Sequence, residues 1–363
     1  MVERQERASQ MLVLRSFFRG ATQPNFASAV IMLGVLLFGV LVYIAVVNDK
    51  LLAGDSYRYF MDHNLDTQTY ATHQILGVEA GEEPSVLIFG SSVMIRCIKD
   101  RDTVADLVTT KSDQSVVAYD LLTDAQTMWE FEAMVDRIPD GGSGVLVLGA
   151  SFGMWTYTLE DLEELIDAPK LGLPTPTIDA AAREAGIDIP FRTHIYGLDA
   201  SSFFLARRRT FLKNLLSGGI SYGDPLTAWW MKNVNDPEFW EEEKARLPEQ
   251  VAEVEENLDR HLATVARAIE DLRSKGDYEV ILFEAPINPD WFELDTGRSF
   301  FTGLRQDMMS FAEAENIQFA SALDLVDLTA DDFVDFEGHI SNDEARMACT
   351  EAVSDLVVEA LER

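Results

Sequence analysis

Two stretches of the chain carry residue types that could do covalent chemistry together. The first is Gly90-Ser91-Ser92, which follows the apolar run Ser85–Phe89 (SVLIF) and precedes VMIRCIKD, a segment that can start a helix. A serine on a strand-to-helix turn exposes its hydroxyl and receives backbone N–H groups from the helix start, as a nucleophile with an oxyanion site requires. Serine also caps helices in the ordinary way, and the local sequence alone favours that reading. The second stretch is DDFVDFEGHISNDEARMACTEAV, where Asp335, Glu337 and His339 precede a helix capped by Ser341 or Asn342. A serine hydroxyl is a weak nucleophile at neutral pH and needs an imidazole base, itself oriented by a carboxylate. Ser92 as nucleophile, His339 as base and an acidic neighbour supply all three types; a solitary surface histidine is the alternative.

These residues matter only if folded elements bring them together. Short apolar runs that read as buried strands recur at Ser85–Phe89, Ser115–Tyr119 (SVVAY), Gly144–Leu148 (GVLVL), Glu279–Phe283 (EVILF) and Ile317–Ala320 (IQFA). Amphipathic stretches lie between several of them. The best, Glu249 to Lys275, sets Val251, Val254, Leu258, Leu262, Val265, Ile269 and Leu272 at spacings of three and four, with Gly276 as its stop. Alternating strand and helix predicts an α/β fold, a mostly parallel five-stranded sheet in three layers. Ligands of such sheets bind beyond the carboxyl ends of the strands, where both Ser92 and His339 fall.

A long helical insertion, about residues 155–248, separates the third and fourth strands and reads as a lid or partner-binding subdomain. It contains LGLPTPT, SGGISYGDP and the aromatic group Trp229, Trp230, Phe239 and Trp240. Trp229, Trp230 and Trp240 suit a sugar-stacking platform or a membrane-facing belt, although such clusters serve more often as core. The acidic run Glu241–Glu243 reads as a solvated helix start.

Composition removes several classes. With 47% apolar residues among 363, the chain can bury a sizeable core. Sixty-two acidic against 29 basic residues give a net charge of −33, which repels a phosphate backbone and argues against a nucleic-acid partner. Cys97 and Cys349 are too few for a cysteine-built metal site, and five histidines without HExxH make a zinc centre improbable. Neither a metal nor a cofactor is expected.

Residues 26–47, FASAVIMLGVLLFGVLVYIAVV, hold no charge and at ~1.5 Å per residue form a helix long enough to cross a bilayer. A cleaved signal peptide has a shorter apolar stretch and a small-residue cleavage site, so an uncleaved signal-anchor is the preferred reading. Arg4, Arg7, Arg15 and Arg19 precede the span, which keeps residues 1–25 cytoplasmic by the positive-inside rule and places the rest outside, in the periplasm or beyond. Residues 48–84 read as a linker and lead-in, and 85–363 as the α/β domain. Residues 1–50 carry +2, so the outward part holds all of the excess acid.

VLIFGSSVM resembles the first block of the SGNH/GDSL hydrolases, with Ser92 at the nucleophile position, and DFEGHIS resembles their last block, with His339 as base. The nearer likeness is to membrane-anchored branches with a Gly-Ser-Ser start: alginate-type polysaccharide O-acetyltransferases and the D-alanyl transfer protein of teichoic acid synthesis. It extends in block order over most of residues 85–360, including APINPDW after the fourth strand. The resemblance implies a flavodoxin-like three-layer fold and a Ser-His-acid site without metal. Ser91 stands where the family commonly has Asp, and three further positions depart from the family pattern. The usual acid stands three residues before the histidine, where this chain has Phe336; Asp335 or Glu337 could take its role, and Asp335 is favoured. AYDLLTDAQTMWE lacks the second-block oxyanion glycine, and Ser151 stands near the third-block asparagine. Gly90, Ser151 and Glu337 are thus the oxyanion or orienting candidates. Were Ser92 to meet His339, the helices beside them could bring Cys97 and Cys349 together as a disulfide, permitted in an oxidising compartment; two separately buried thiols are an equal alternative.

By resemblance, the chain is expected to be a serine-dependent acyltransferase or esterase that O-acetylates a cell-envelope polysaccharide, beside a multi-spanning membrane-bound O-acyltransferase. The missing glycine and displaced acid support a different class, a catalytically degenerate protein that binds polysaccharide or scaffolds an envelope complex. Hydrolysis is a third reading, since water and sugar hydroxyls attack the same acyl-enzyme.

Overall fold

Runs of Val, Leu, Ile and Phe without polar alternation belong in a sheet covered on both sides, and the computed structural model has that sheet. It describes residues 24–174, 176–193, 195–224 and 237–363. Five strands, β1 (Ser85–Gly90), β2 (Val117–Leu122), β3 (Gly142–Ala150), β4 (Gly276–Glu284) and β5 (Gln318–Ser321), are all parallel in the order β2-β1-β3-β4-β5. The fold class read from the sequence is the one observed, and the strand order is the flavodoxin-like one. The second strand starts and ends later than Ser115–Tyr119. It lies at the sheet edge with Val117 exposed, so its apolar run is diluted and Leu121 and Leu122, both buried, carry its core contacts.

The helices are α1 (Pro24–Val46), α2 (Asp49–Ala53), α3 (Thr67–Leu76), α4 (Ser92–Cys97), α5 (Arg101–Ser112), α6 (Met128–Val135), α7 (Leu159–Asp167), α8 (Pro176–Glu184), α9 (Tyr196–Asp199), α10 (Ser201–Ala206), α11 (Arg208–Ser217), α12 (Pro237–Lys275), α13 (Asp295–Glu315), α14 (Ala322–Leu325) and α15 (Asp343–Leu361). Alternate strand residues point to opposite faces. Leu87, Phe89, Leu146, Leu148 and Leu282 join α3, α6, α12 and α13 in one core. Val86, Ile88, Val145, Val147 and Ile281 join α4, α5 and α15 in the other. Three layers result.

The insertion is helical in its described part, and α7 and α8 bury Leu162, Leu165, Ile166 and Ile178 against Trp129 and Ala133 of α6. Trp229 and Trp230 lie outside the described residues, as do the side chains of Phe239 and Trp240. The long helix begins at Pro237 rather than Glu249 and continues through Pro248, with Leu247 buried in the core before it; Gly276 opens β4 instead of capping the helix. Glu243 is buried and paired with Arg246 at 3.0 Å, so the Glu241–Glu243 run is not a fully solvated helix start. Residues 48–84 carry α2 and α3 packed onto the body, with Leu52, Ala71 and Ile75 buried.

Helix α1 is long and apolar enough to cross a membrane, and its side chains from Val30 to Val42 are exposed. Residues 1–23 lie outside the described part.

Candidate active site

The strand order reverses between β1 and β3, leaving a crevice beyond their carboxyl ends. The chain enters that crevice at Gly90, whose φ of +151° suits glycine, and a Cβ there would stand 2.8 Å from the Gly149 carbonyl and 2.6 Å from Met94 Cγ. Ser91 then takes the N-cap place of α4, yet its hydroxyl caps no backbone N–H and instead meets the Ser151 hydroxyl at 2.6 Å. Ser92 is the first helical residue and not a cap, which leaves its hydroxyl available. Its Oγ lies 2.8 Å from His339 Nε2.

The histidine sits on a tight turn that the sequence builds around one carboxylate. Asp335 Oδ1 accepts the N–H of Gly338 at 3.2 Å and of His339 at 3.1 Å, while Oδ2 is 2.6 Å from His339 Nδ1. Gly338 has φ +107°, and a Cβ there would stand 2.0 Å from the Pro286 carbonyl. Below the turn, Asn288 Nδ2 donates to the Asp335 carbonyl at 2.9 Å and Trp291 Nε1 to that of Phe336. Phe336 itself is buried against Trp291. The position three before the histidine is therefore an apolar anchor, and the acid one residue earlier reaches the imidazole. Glu337 is farther, with Oε2 3.8 Å from Nδ1 and its side chain half exposed.

Asp335 and His339 are both buried. Burial by itself pushes the imidazole pKa down, but the charge and hydrogen bond of Asp335, aided by Glu337, outweigh it and raise the value above the ordinary 6.5. Asp335, Glu337 and His339 are also the one group of three potential metal ligands among the described residues, with ligand atoms within 4.8 Å of one another. His339 Nδ1 is engaged by the hydrogen bond to Asp335 in this structure.

Ser92, Ala125, Ser151, Tyr157, Trp291 and Glu337 are among the residues lining a cavity of about 260 Å³. Ala125 has φ +52°. Among the described residues, the other two non-glycine residues with positive φ, Asp113 and Asn316, end helices, and Ala125 holds this conformation in a pocket wall. It lies in the segment where no glycine is found, and no residue type announced it. Asn288 and Trp291 stand in the sequence only as part of APINPDW, and Glu243 and Arg246, which also line the cavity, carry no signal there of a site role.

Cys97, at the end of α4, and Cys349, on α15, form a disulfide with Cα atoms 5.5 Å apart. Beside it, Arg346 donates to the carbonyls of Ile98 and Lys99, and Thr350 Oγ1 accepts the N–H of Lys99 at 3.0 Å. The helix that starts with Ser92 is thus tied to the helix that follows His339.

No protein-family model matches the chain, and no curated protein matches it. Fold and geometry define the class: a parallel α/β protein with a serine–histidine–aspartate hydrogen-bonded chain at the switch point of its sheet.

Proposed function

We propose that the protein is a membrane-anchored, extracytoplasmic acyltransferase or esterase of the SGNH type. The observation that carries this reading is the continuous chain from Ser92 Oγ through both nitrogens of His339 to Asp335. Ser92 Oγ attacks the carbonyl carbon of an acyl ester while its proton passes to His339 Nε2; the resulting imidazolium is held by Asp335. The tetrahedral intermediate expels the alcohol, which takes the proton back from Nε2, and leaves the acyl group on Ser92. A second hydroxyl then loses its proton to His339 Nε2 and takes the acyl group, and Nε2 returns that proton to the departing Ser92 Oγ. The N–H groups of Ser92 and Ala125, with the Ser151 hydroxyl, are the donors for the developing oxyanion. A left-handed Ala125 supports that role for a position where the family pattern has glycine.

The acyl group is acetyl and the acceptor a hydroxyl of a cell-envelope polysaccharide, with a multi-spanning acyltransferase as supplier. The exposed apolar α1 and the net charge of −33 fit this setting. The test is labelling by a fluorophosphonate probe and turnover of a chromogenic acetyl ester. Both are expected to disappear in Ser92→Ala and His339→Ala. If neither occurs in the parent, while deleting the protein abolishes polymer acetylation and Ser92→Ala restores it, the scaffold reading replaces this one.

A further inference from the structure

After the apolar span, the densest cluster of cations in this acidic chain is LARRRTFLKNLL, residues 205–216, with four basic residues and no acid. It belongs to α10 and α11. Their inner face is aromatic: Phe203, Phe204 and Phe211 pack with Leu52, Phe60, Val47 and Leu51. Asn214, also buried, donates to the Met61 carbonyl at 2.8 Å. The outer face carries Leu205, Leu212 and Leu216, which are 57%, 61% and 91% exposed. Arg208, Arg209 and Lys213 stand exposed among them. Leucines aimed at water and flanked by cations are the pattern of a helix lying in a lipid interface.

The position of these helices is a second, independent observation. Val47, Leu51 and Leu52, on which they rest, are the residues that follow α1. Gly197 of α9 approaches so closely that a Cβ would stand 2.4 Å from the Val47 carbonyl. The leucine stripe is therefore built onto the exit of the span. The rest of the chain is strongly acidic and is repelled by an anionic bilayer, whereas this surface is attracted to one.

We propose that α10 and α11 lie on the leaflet from which α1 emerges, with Leu205, Leu212 and Leu216 among the acyl chains and Arg208, Arg209 and Lys213 on anionic headgroups. One spanning helix lets a body swing; a second contact fixes its tilt and thereby the direction in which the Ser92 pocket opens. The inference rests on α1 lying in a bilayer and is independent of the chemistry at Ser92.

The full chain in phosphatidylglycerol-containing vesicles tests it. Because Cys97 and Cys349 are bonded, a cysteine introduced by Leu216→Cys takes an environment-sensitive fluorophore alone. Its emission is expected to shift to the blue, to be quenched by nitroxide-bearing lipid and to be shielded from iodide. Arg208→Gln, Arg209→Gln and Lys213→Gln are expected to weaken that seating about fivefold per removed charge. A label at Leu36→Cys, within α1, separates the failures. If it is embedded while the Leu216→Cys label stays open to iodide, the interfacial helix is refuted and the anchor stands. If both labels are in water, the anchor itself is wrong and the proposal falls with it. Shielding from iodide without quenching by lipid means that a protein surface covers the stripe, which also overturns the proposal.

Discussion

Replacing Asp335 by Asn tests the reading of the site most directly, because it changes one atom and leaves the packing alone. Asp335 accepts three hydrogen bonds: two from the backbone N–H groups of Gly338 and His339, and one from His339 Nδ1. An asparagine can keep its oxygen on the two backbone donors only by turning its NH2 toward Nδ1. That nitrogen must then accept, the imidazole proton moves to Nε2, and Ser92 faces a donor in place of a base. The expected loss in kcat is about 10⁴-fold, equivalent to ~5.5 kcal/mol in the barrier. Thermal stability should change by only about 1 kcal/mol, since the shape and the backbone hydrogen bonds persist. The parent's pH profile supplies a second readout. Its imidazole pKa is raised above 6.5, so activity is lost as the pH falls through that raised value; without the Asp335 charge, burial dominates and the acid limb moves to lower pH. The same raised value makes the imidazolium stabilising in the fold below pH 6.5, a contribution lost as the pH rises through the folded pKa. The assay is kcat and KM on a chromogenic acetyl ester across pH, beside a thermal melt. Activity within about tenfold of the parent in Asp335→Asn, together with loss in Glu337→Gln, would refute the reasoning and make Glu337 the orienting acid.

Three further outcomes follow from single positions. Gly338→Ala places a Cβ against the Pro286 carbonyl, so the turn must shift and His339 with it; turnover is expected to fall at least about 100-fold, and an unchanged rate would mean the base is not held by this turn. Ala125→Gly relieves a left-handed alanine and is expected to raise stability by about 1 kcal/mol in a denaturant titration with probe labelling preserved. Opening the Cys97–Cys349 bond, which spans 252 positions, removes a constraint of about 5 kcal/mol from the unfolded chain, so a Cys97→Ser, Cys349→Ser double variant is expected to melt about 10 °C lower than the parent; equal midpoints would show that helix packing alone holds α4 to α15.

The linear sequence determined what depends on residue type and local period. The central strands, buried on both faces, must be apolar throughout and so announce themselves, whereas the edge strands β2 and β5, partly exposed, are shifted by one to three residues and β4 begins three residues before its apolar run. A 22-residue stretch without charge is its own evidence for a helix able to span a bilayer. Ser92 and His339 were visible because a parallel sheet sends every strand's end to one edge, which turns order along the chain into proximity. What the tertiary structure decided depends on backbone direction and on contacts between distant segments. Asp335 and Glu337 are indistinguishable by spacing; the positive φ of Gly338 and the burial of Phe336 bring the first to Nδ1 and leave the second at the rim. Ala125 turns left-handed where residue type predicts nothing. Two cysteines far apart in sequence could bond or lie separately, and the packing of α15 against α4 selects the bond. Residues 48–84, linker-like in sequence, fold onto the body because their apolar side chains find partners that only the assembled chain provides.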